Sequence, residues 1–511
     1  MDRILHFFRR NILFLACLFF GFAFRYYLLY LREFNYSLGD TGFYLKYAYN
    51  LYYHFTLSGQ DLPPIMPEAD RTPVLPFFIV LTSYIWKLPI IASVYAQIVL
   101  SCFSSLILYK ITYHMTKNNL IANISMVLFT FCPALALYSV VLVGESISIF
   151  FFLCLIYFLM LFIDFGRGKD RNIDVDDRFK NIFGNKFEKR SYVYLFLISI
   201  FSVLIIFCKP NWSVIAIIIS LIFLYYRKNF KYIILYGAFI AMFIFSWSVR
   251  NYYAYGHYIG IRTIHGGIAH EWKSPWWTSE NYQPYRKWLT TWMYSSKDFE
   301  LFWKVTDSIG KPIEEINAAF SSAKEKKAIM SIMDSFKGRD IRGFSDNEKD
   351  IFNTIADKKI AEDPLKYHVL LPLKRSLYMF ESRHVAVLPI NLKQQNFILG
   401  FINFFYYIGF FIGFFVIGIL VKRREINYKF IALSFVVVAP LFHGFLKYWY
   451  ILALDPRYIV QLFIFYSIFS SVAIYYMYDF LRKRMRLFFS RDIYLGIDVD
   501  EGAELSERIS M

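Results

Sequence analysis

The chain has 511 residues, 57% of them hydrophobic and 21% aromatic, and carries a formal net charge of +17. That excludes a disordered protein, which stays unpacked by having few aromatics, and an ordinary soluble enzyme, whose cores could not hide so much apolar surface. Apolar blocks alternate with short basic breaks, and a block of about 18 or more apolar residues is read as a membrane span.

The blocks predict an all-α polytopic membrane protein with about ten transmembrane helices. In chain order they cover residues 11–31, 90–114, 120–142, 146–165, 192–208, 211–226, 231–249, 397–420, 429–452 and 457–480. The first follows Arg9 and Arg10 without a small-residue cleavage site, so it reads as an anchor. Residues 74–88 are apolar but short and end at Trp86-Lys87-Leu88-Pro89, which favours an interfacial hairpin over an eleventh span. Cys17, Cys102, Cys132, Cys154 and Cys208 all lie in apolar blocks with no zinc-like spacing, and read as small buried hydrophobes.

Charge sets the expected orientation. Basic clusters flank one side: Arg9 and Arg10, Lys117, Arg167 to Arg190, Arg227 to Lys231, Lys422 to Arg424, and Arg482 to Arg486. Short connections on the other side are nearly bare. The positive-inside rule then puts both termini in the cytoplasm of a multi-pass plasma-membrane protein, a bacterial inner membrane being the expected one. Lys and Arg clustered beside apolar blocks suit a phosphate-rich membrane surface, and no nucleic-acid partner is expected.

The domain reading follows: residues 1–249 are an N-terminal transmembrane module whose first outer loop spans 32–89; 250–396 form an extracytoplasmic loop domain; 397–480 are C-terminal membrane helices; and 481–511 are a cytoplasmic tail. Within the first loop, the stretch after Asp40 reads as an amphipathic interfacial helix, with Lys46, Asn50 and His54 on one face and Tyr44, Ala48, Leu51 and Phe55 on the other. The loop domain should be mainly helical. Ser345 and Glu348 have capping-box spacing, and Asp363-Pro364 reads as the start of a helix returning to the bilayer. Its tryptophans, Trp272, Trp276, Trp277, Trp288 and Trp292, suit either sugar stacking or an interfacial belt.

Few charges fall at mid-depth, which speaks against an ion or proton path. Isolated charges recur instead at the outer ends of spans: Asp40, Arg71, Glu145, Lys209, Arg250, Asp455 and Arg457. Each has a structural reading of its own, as helix cap, dipole partner or snorkelling side chain. Their common depth suggests one polar site at the headgroup plane. A carboxylate there could take the proton of an acceptor hydroxyl, and cations could hold a departing phosphate. Arg25, in the outer third of the first span, must either be paired or reach the interface. His265, His270 and Glu271 match no zinc-helix spacing.

The order of short motifs resembles the C-type-fold (GT-C) glycosyltransferases that use polyprenyl-phosphate sugars, among them the lipid A aminoarabinose transferases and relatives of the protein O-mannosyltransferases. The matching pieces are Gly39-Asp40-Thr41-Gly42-Phe43-Tyr44, Arg71-Thr72-Pro73, Gly144-Glu145-Ser146, Trp247-Ser248-Val249-Arg250-Asn251-Tyr252, Ala361-Glu362-Asp363-Pro364 and Asp455-Pro456-Arg457-Tyr458. The resemblance implies inverting transfer of a sugar to an extracytoplasmic hydroxyl of a lipid, glycan or protein. It implies Asp40 as general base and Glu145 as the acid that positions the acceptor or Asp40. Arg71, with Arg250, Arg457 and Lys209, would bind the donor phosphate, and Tyr44, His265, Trp272 and Tyr458 would contact acceptor or sugar. Thr41 stands where many members carry a second acid, so no cofactor is certain and a divalent cation is left open. The rival from another class is a secondary transporter or flippase, for which Pro133, Pro210 and Pro440 supply helix breaks.

Overall fold

The computed structural model describes residues 2–38, 40–69, 71–167, 177–227, 230–256, 260–261, 283–293, 319–335, 344–378, 392–422 and 460–495. The regular elements among them are all helical. Six helices are long and apolar enough to cross a membrane: Ile12–Leu31, Ile91–Thr116, Gly144–Asp164, Ser191–Cys208, Phe230–Tyr255 and Leu462–Met485. Three shorter apolar helices accompany them, Val74–Tyr84, Val214–Tyr225 and Phe404–Ile419. The expected span at 429–452, the start of the last one and the end of the tail lie outside the described residues.

The elements that carry the argument are α1 (Asp2–Leu31), α2 (Thr41–His54), α3 (Val74–Ile79), α4 (Ile91–Thr116), α5 (Asn119–Thr130), α6 (Pro133–Ser139), α7 (Gly144–Arg167), α8 (Asp177–Cys208), α9 (Val214–Arg227) and α10 (Phe230–Tyr255). Residues 120–142, expected as one span, are instead the pair α5 and α6, bent by 53°. Pro133 is the cause: it has no N–H to continue the helix, and it opens α6 at N1.

Contacts along the chain show α1, α8 and α10 ending, and α4 and α7 beginning, at the end of the bundle that carries residues 32–90. The Leu142 N–H reaches the Tyr36 carbonyl at 2.9 Å, the Cys208 thiol reaches the Gly144 carbonyl, and Arg250 reaches Leu57. This end is called the loop end below. At the opposite end the His114 ring of α4 lies against the Asp164 carboxylate of α7.

Apolar burial cannot by itself drive helices together in lipid, so packing rests on close contact and buried polar bonds. Arg25 illustrates the second. Fully buried, it donates to Ser101 Oγ at 3.1 Å, to the Gly21 carbonyl at 3.0 Å and to the Thr130 carbonyl at 2.9 Å. The last carbonyl is freed because α5 stops there, so Arg25 of α1 closes the broken end of α5. The apolar core is continuous across α4 to α10 and the C-terminal helices.

A separate hydrophobic cluster is built by α11 (Gln283–Thr290), α12 (Ala323–Ser335) and α13 (Asp346–Glu362) around Tyr285, Trp288, Trp292 and Phe352. Trp288 and Trp292 are therefore core side chains, available to neither a sugar nor a membrane belt. The Ser345–Glu348 capping box is formed. Asp363 Oδ1 accepts the Lys366 N–H at 3.0 Å, capping the helical stretch that runs through Lys366–Leu370 into α14 (Leu371–Tyr378). Buried Lys359 pairs with Glu325 at 2.5 Å.

Two C-terminal helices, α15 (Leu392–Lys422) and α16 (Leu462–Leu495), cross closely. Gly409 and Gly413 of α15 lie against Ser470 and Phe469 of α16, where a methyl group would overlap the facing atoms. The Tyr406 hydroxyl donates to the Leu128 carbonyl near the end of α5, and Tyr406 also meets the Phe463 ring.

Candidate functional site

Asp40 and Arg71 form the first part of the site. Arg71 Nη2 lies 3.0 Å from Asp40 Oδ1, with the arginine side chain 14% and the aspartate 38% exposed. Asp40 occupies the N-cap position of α2 without capping it, so its carboxylate is turned to the cation rather than to its own helix. The guanidinium also stacks over Phe43 at 5.1 Å and lies 6.0 Å from the Tyr44 ring. A planar cation on an aromatic face keeps its edge donors available to an anion.

Glu145 and Lys209 form the second part. Lys209 Nζ lies 2.7 Å from Glu145 Oε1, with side chains 16% and 8% exposed. The acid sits in the first turn of α7, where it complements the helix dipole. The lysine stands between Cys208, the last residue of α8, and the turn Pro210–Ser213.

The two pairs are joined through backbone. Thr41, next to Asp40, places its hydroxyl oxygen 2.9 Å from the Leu38 carbonyl and 3.1 Å from the Leu142 carbonyl, three residues before Glu145. The same oxygen accepts the Leu38 N–H at 3.0 Å. The segment carrying Leu142 is held in turn by Gln97 of α4, whose Nε2 donates to the carbonyls of Tyr138, Ser139 and Val141 at 3.2, 3.1 and 2.7 Å. These carbonyls are released where α6 ends, and a buried amide is what they require.

Arg250 is placed differently from the other cations. It donates to the Glu68 carbonyl at 2.7 Å, the Leu57 carbonyl at 3.1 Å and Asn251 Oδ1 at 3.0 Å, and it stacks on Trp247 at 4.9 Å. Tyr255 adds a bond from its hydroxyl oxygen to the Ala69 N–H at 2.8 Å. The loop end of α10 thus clamps residues 57–69, the turn that leads to Arg71. Inside that turn Glu68 is buried, accepting the Tyr47 hydroxyl at 3.1 Å and the Gly59 N–H at 2.8 Å. Asn50 of α2 donates to the Ser58 and Gln60 carbonyls. The expected polar face of α2 is therefore only partly wet: Lys46 pairs with Asp61 at 2.6 Å and His54 is exposed, whereas Asn50 is buried because residues 56–68 fold back upon it.

Asp40, Arg71, Glu145, Lys209, Arg250 and Tyr44 are accordingly linked at one end of the bundle. Arg457, Tyr458, His265 and Trp272 lie outside the described residues. Sequence reading passed over Glu68, Gln97, Thr41 as a hydrogen-bond donor, and Phe43. A lone glutamine inside an apolar block was the one available signal for Gln97. Among the described residues no group of three or more His, Cys, Asp or Glu side chains could hold a metal ion.

The fold and site define an all-α polytopic membrane protein with the Asp40–Arg71 and Glu145–Lys209 ion pairs at one end. The sequence matches no family model and no curated protein. Among solved structures the chain is similar to an oligosaccharyltransferase of Archaeoglobus fulgidus in the apo form (12% identity, TM-score 0.47, covering 95% of this chain and 52% of that one). It is similar to the archaeal oligosaccharyltransferase AglB from Archaeoglobus fulgidus in complex with an inhibitory peptide and a dolichol-phosphate (12%, 0.44, 97% and 53%). It is also similar to ArnT from Cupriavidus metallidurans bound to undecaprenyl phosphate (11%, 0.35, 91% and 78%). The chain spans about half the length of the two oligosaccharyltransferase chains, 52% and 53%.

Proposed function

We propose that this protein is a membrane glycosyltransferase that moves a sugar from a polyprenyl-phosphate donor to an acceptor hydroxyl of a lipid, glycan or protein, with inversion, on the extracytoplasmic side. The loop end is the extracytoplasmic end, both termini are cytoplasmic, and the positive-inside pattern supports that orientation. The observation that carries the reading is the Asp40–Arg71 pair, an uncapping acid beside a ring-stacked arginine at the start of an interfacial helix. The order of motifs that resembles the C-type-fold enzymes supports it independently.

In this reading the donor's phosphate competes with Asp40 for Arg71. As the phosphate takes the guanidinium, the Asp40 carboxylate is released to face the acceptor. The acceptor oxygen attacks the anomeric carbon, its proton passes to Asp40, and the bond from that carbon to the phosphate oxygen breaks with its electron pair. Arg71 holds the charge that develops on the leaving polyprenyl phosphate. Glu145, fixed by Lys209 and joined to Asp40 through Thr41 and Leu142, positions the acceptor. Arg250 supports Arg71 through residues 57–69, a role distinct from direct phosphate contact.

A transporter would share the bent pair α5 and α6. The Thr130 carbonyl at that bend is taken by Arg25, and those released where α6 ends are taken by Gln97, which leaves them no ion to coordinate. The test is reconstitution of the purified protein with labelled polyprenyl-phosphate sugars. One of them should be consumed by the wild type and not by Asp40→Asn. Uptake or flipping of a donor without cleavage would replace the transferase reading with the transporter one.

A further inference from the structure

A groove of about 430 Å³ runs along the bundle between α9 and α10. Small residues, Ala216, Gly237 and Ala241, give it depth. A methyl group on Gly237 would meet no atom within 4 Å, so the space over that residue is open. Ile217 and Phe245, which also line it, are exposed. At membrane depth such apolar side chains face lipid tails.

The polar side chains of the lining are Ser220, Tyr236 and Ser248, and none is charged. Ser220 donates to the Ala216 carbonyl at 2.9 Å, and the Tyr236 hydroxyl donates to Ser202 Oγ at 2.9 Å. Ser248 is different. It is 4% exposed, and its hydroxyl has no partner. A helical serine commonly bonds the carbonyl four residues back, and Ser246 of the same helix does so to Met242 at 2.8 Å. A buried hydroxyl left unmatched on the wall of a cavity calls for an acceptor there.

The depth of Ser248 is set by its neighbours. Two residues further along α10, Arg250 holds the carbonyls of Leu57 and Glu68 at the loop end. Tyr252, one turn outward on the stripe of Ser248, is exposed, as is Tyr253. Rings of this kind sit at the headgroup level. Ser248 is therefore at the boundary of headgroups and hydrocarbon. Inward, the groove ends at Tyr236, and the helix rises about 18 Å between the two. One leaflet's half of the hydrocarbon core is about 15 Å.

We propose that this groove is a binding site for a glycerophospholipid of the leaflet at the loop end, one acyl chain lying along it and its ester carbonyl accepting the Ser248 hydroxyl. The inference goes beyond the transferase reading and stands without it. Charge selects the ester. A phosphate or a free carboxylate at Ser248 would need a cation, and the lining has none. An ester carbonyl is neutral and only accepts, which suits a hydroxyl with its proton to give. A polyprenyl phosphate has no carbonyl, and its phosphate would stand at Ser248 without a counter-charge.

The test measures lipid binding to the full chain in detergent by native mass spectrometry, with dioleoyl phosphatidylethanolamine and its diether analogue as probes. The wild type should hold one molecule of the diester lipid and bind the diether about 5-fold more weakly, the effect of one hydrogen bond. Ser248→Ala should bind the two alike. Gly237→Leu, which fills the open space over that residue, should lose the bound diester lipid. Equal affinity of the wild type for diester and diether overturns the proposal. So does a Gly237→Leu protein that binds as the wild type does, since the lipid would then be adventitious. Undecaprenyl phosphate that displaces the diester lipid from the wild type would give the groove to a prenyl chain and overturn it as well. The diester–diether comparison needs no variant, so it decides the matter even if neither variant accumulates.

Discussion

The hydroxyl of Thr41 lies 3.1 Å from the carbonyl of Leu142, a bond across 101 residues of chain. It couples the N-terminus of α2, where Asp40 stands, to the N-terminus of α7, where Glu145 stands. Two acids that belong to separate helices thereby share one frame. Thr41→Val keeps the shape and removes the hydroxyl. Turnover should fall about 10-fold or more, because small misplacements of reacting groups carry large rate penalties. Donor affinity should change little, since Arg71 is untouched. Steady-state kinetics with separate donor and acceptor titrations decide this, and an unaltered kcat would show that the bond is dispensable.

Asp40→Asn should abolish transfer, a loss of about 10²- to 10⁴-fold for removal of a general base. Protein level and donor binding should be retained, since the side chain makes no cap to its helix. Full activity in Asp40→Asn would falsify the assignment.

Arg71→Ala should weaken donor binding more than acceptor binding. Arg71→Lys should restore it only in part, because an ammonium reproduces neither the planar stack on Phe43 nor the forked donor edge. Binding of a labelled polyprenyl phosphate, with no acceptor present, measures this directly. Equal affinity across the three proteins would remove Arg71 from the donor site.

Arg250 separates a clamp from a phosphate ligand. Its guanidinium holds the carbonyls of Leu57 and Glu68, so Arg250→Ala should expose residues 57–69 to limited proteolysis in the protein without donor. A direct phosphate ligand would raise the donor KM and leave that segment as resistant as in the wild type.

The Glu145–Lys209 pair is mostly buried. Lys209→Met strands the carboxylate and should cost about 3–5 kcal/mol of stability. The double variant Lys209→Met, Glu145→Leu should recover most of that stability while remaining inactive. Thermal melting of the three proteins in detergent reads the difference. A double variant no more stable than Lys209→Met would mean that the pair contributes little as a pair.

Several elements were legible in the residues themselves. The spans at 11–31, 90–114, 146–165, 192–208 and 231–249 coincide with helices, because a long apolar run in a chain of this kind has one stable conformation. The Ser345–Glu348 cap was readable for the same reason: both partners lie within one turn. Asp40, Arg71, Glu145 and Lys209 could be picked out as isolated charges at span ends, but nothing in the sequence said which acid meets which cation. The bonds of Arg250 to Leu57 and Glu68 had no signal in the sequence, because those partners are backbone carbonyls, which every residue has. The fold-back of residues 56–68 onto Asn50 had no local signal either.

Hydropathy and charge are properties of short stretches, so the amino-acid sequence by itself determined the helical class, the alternation of apolar and basic segments and the gathering of polar residues at span ends. Only the tertiary structure decided the pairings Asp40–Arg71 and Glu145–Lys209, the bridge from Thr41 to Leu142, the capture by Arg25 of the carbonyl at the Pro133 bend, and that by Gln97 of the carbonyls at the end of α6. Such pairings join residues tens to hundreds of positions apart. They depend on how helices pack and where their ends leave backbone groups unmatched, and neither quantity is written in any one segment of the chain.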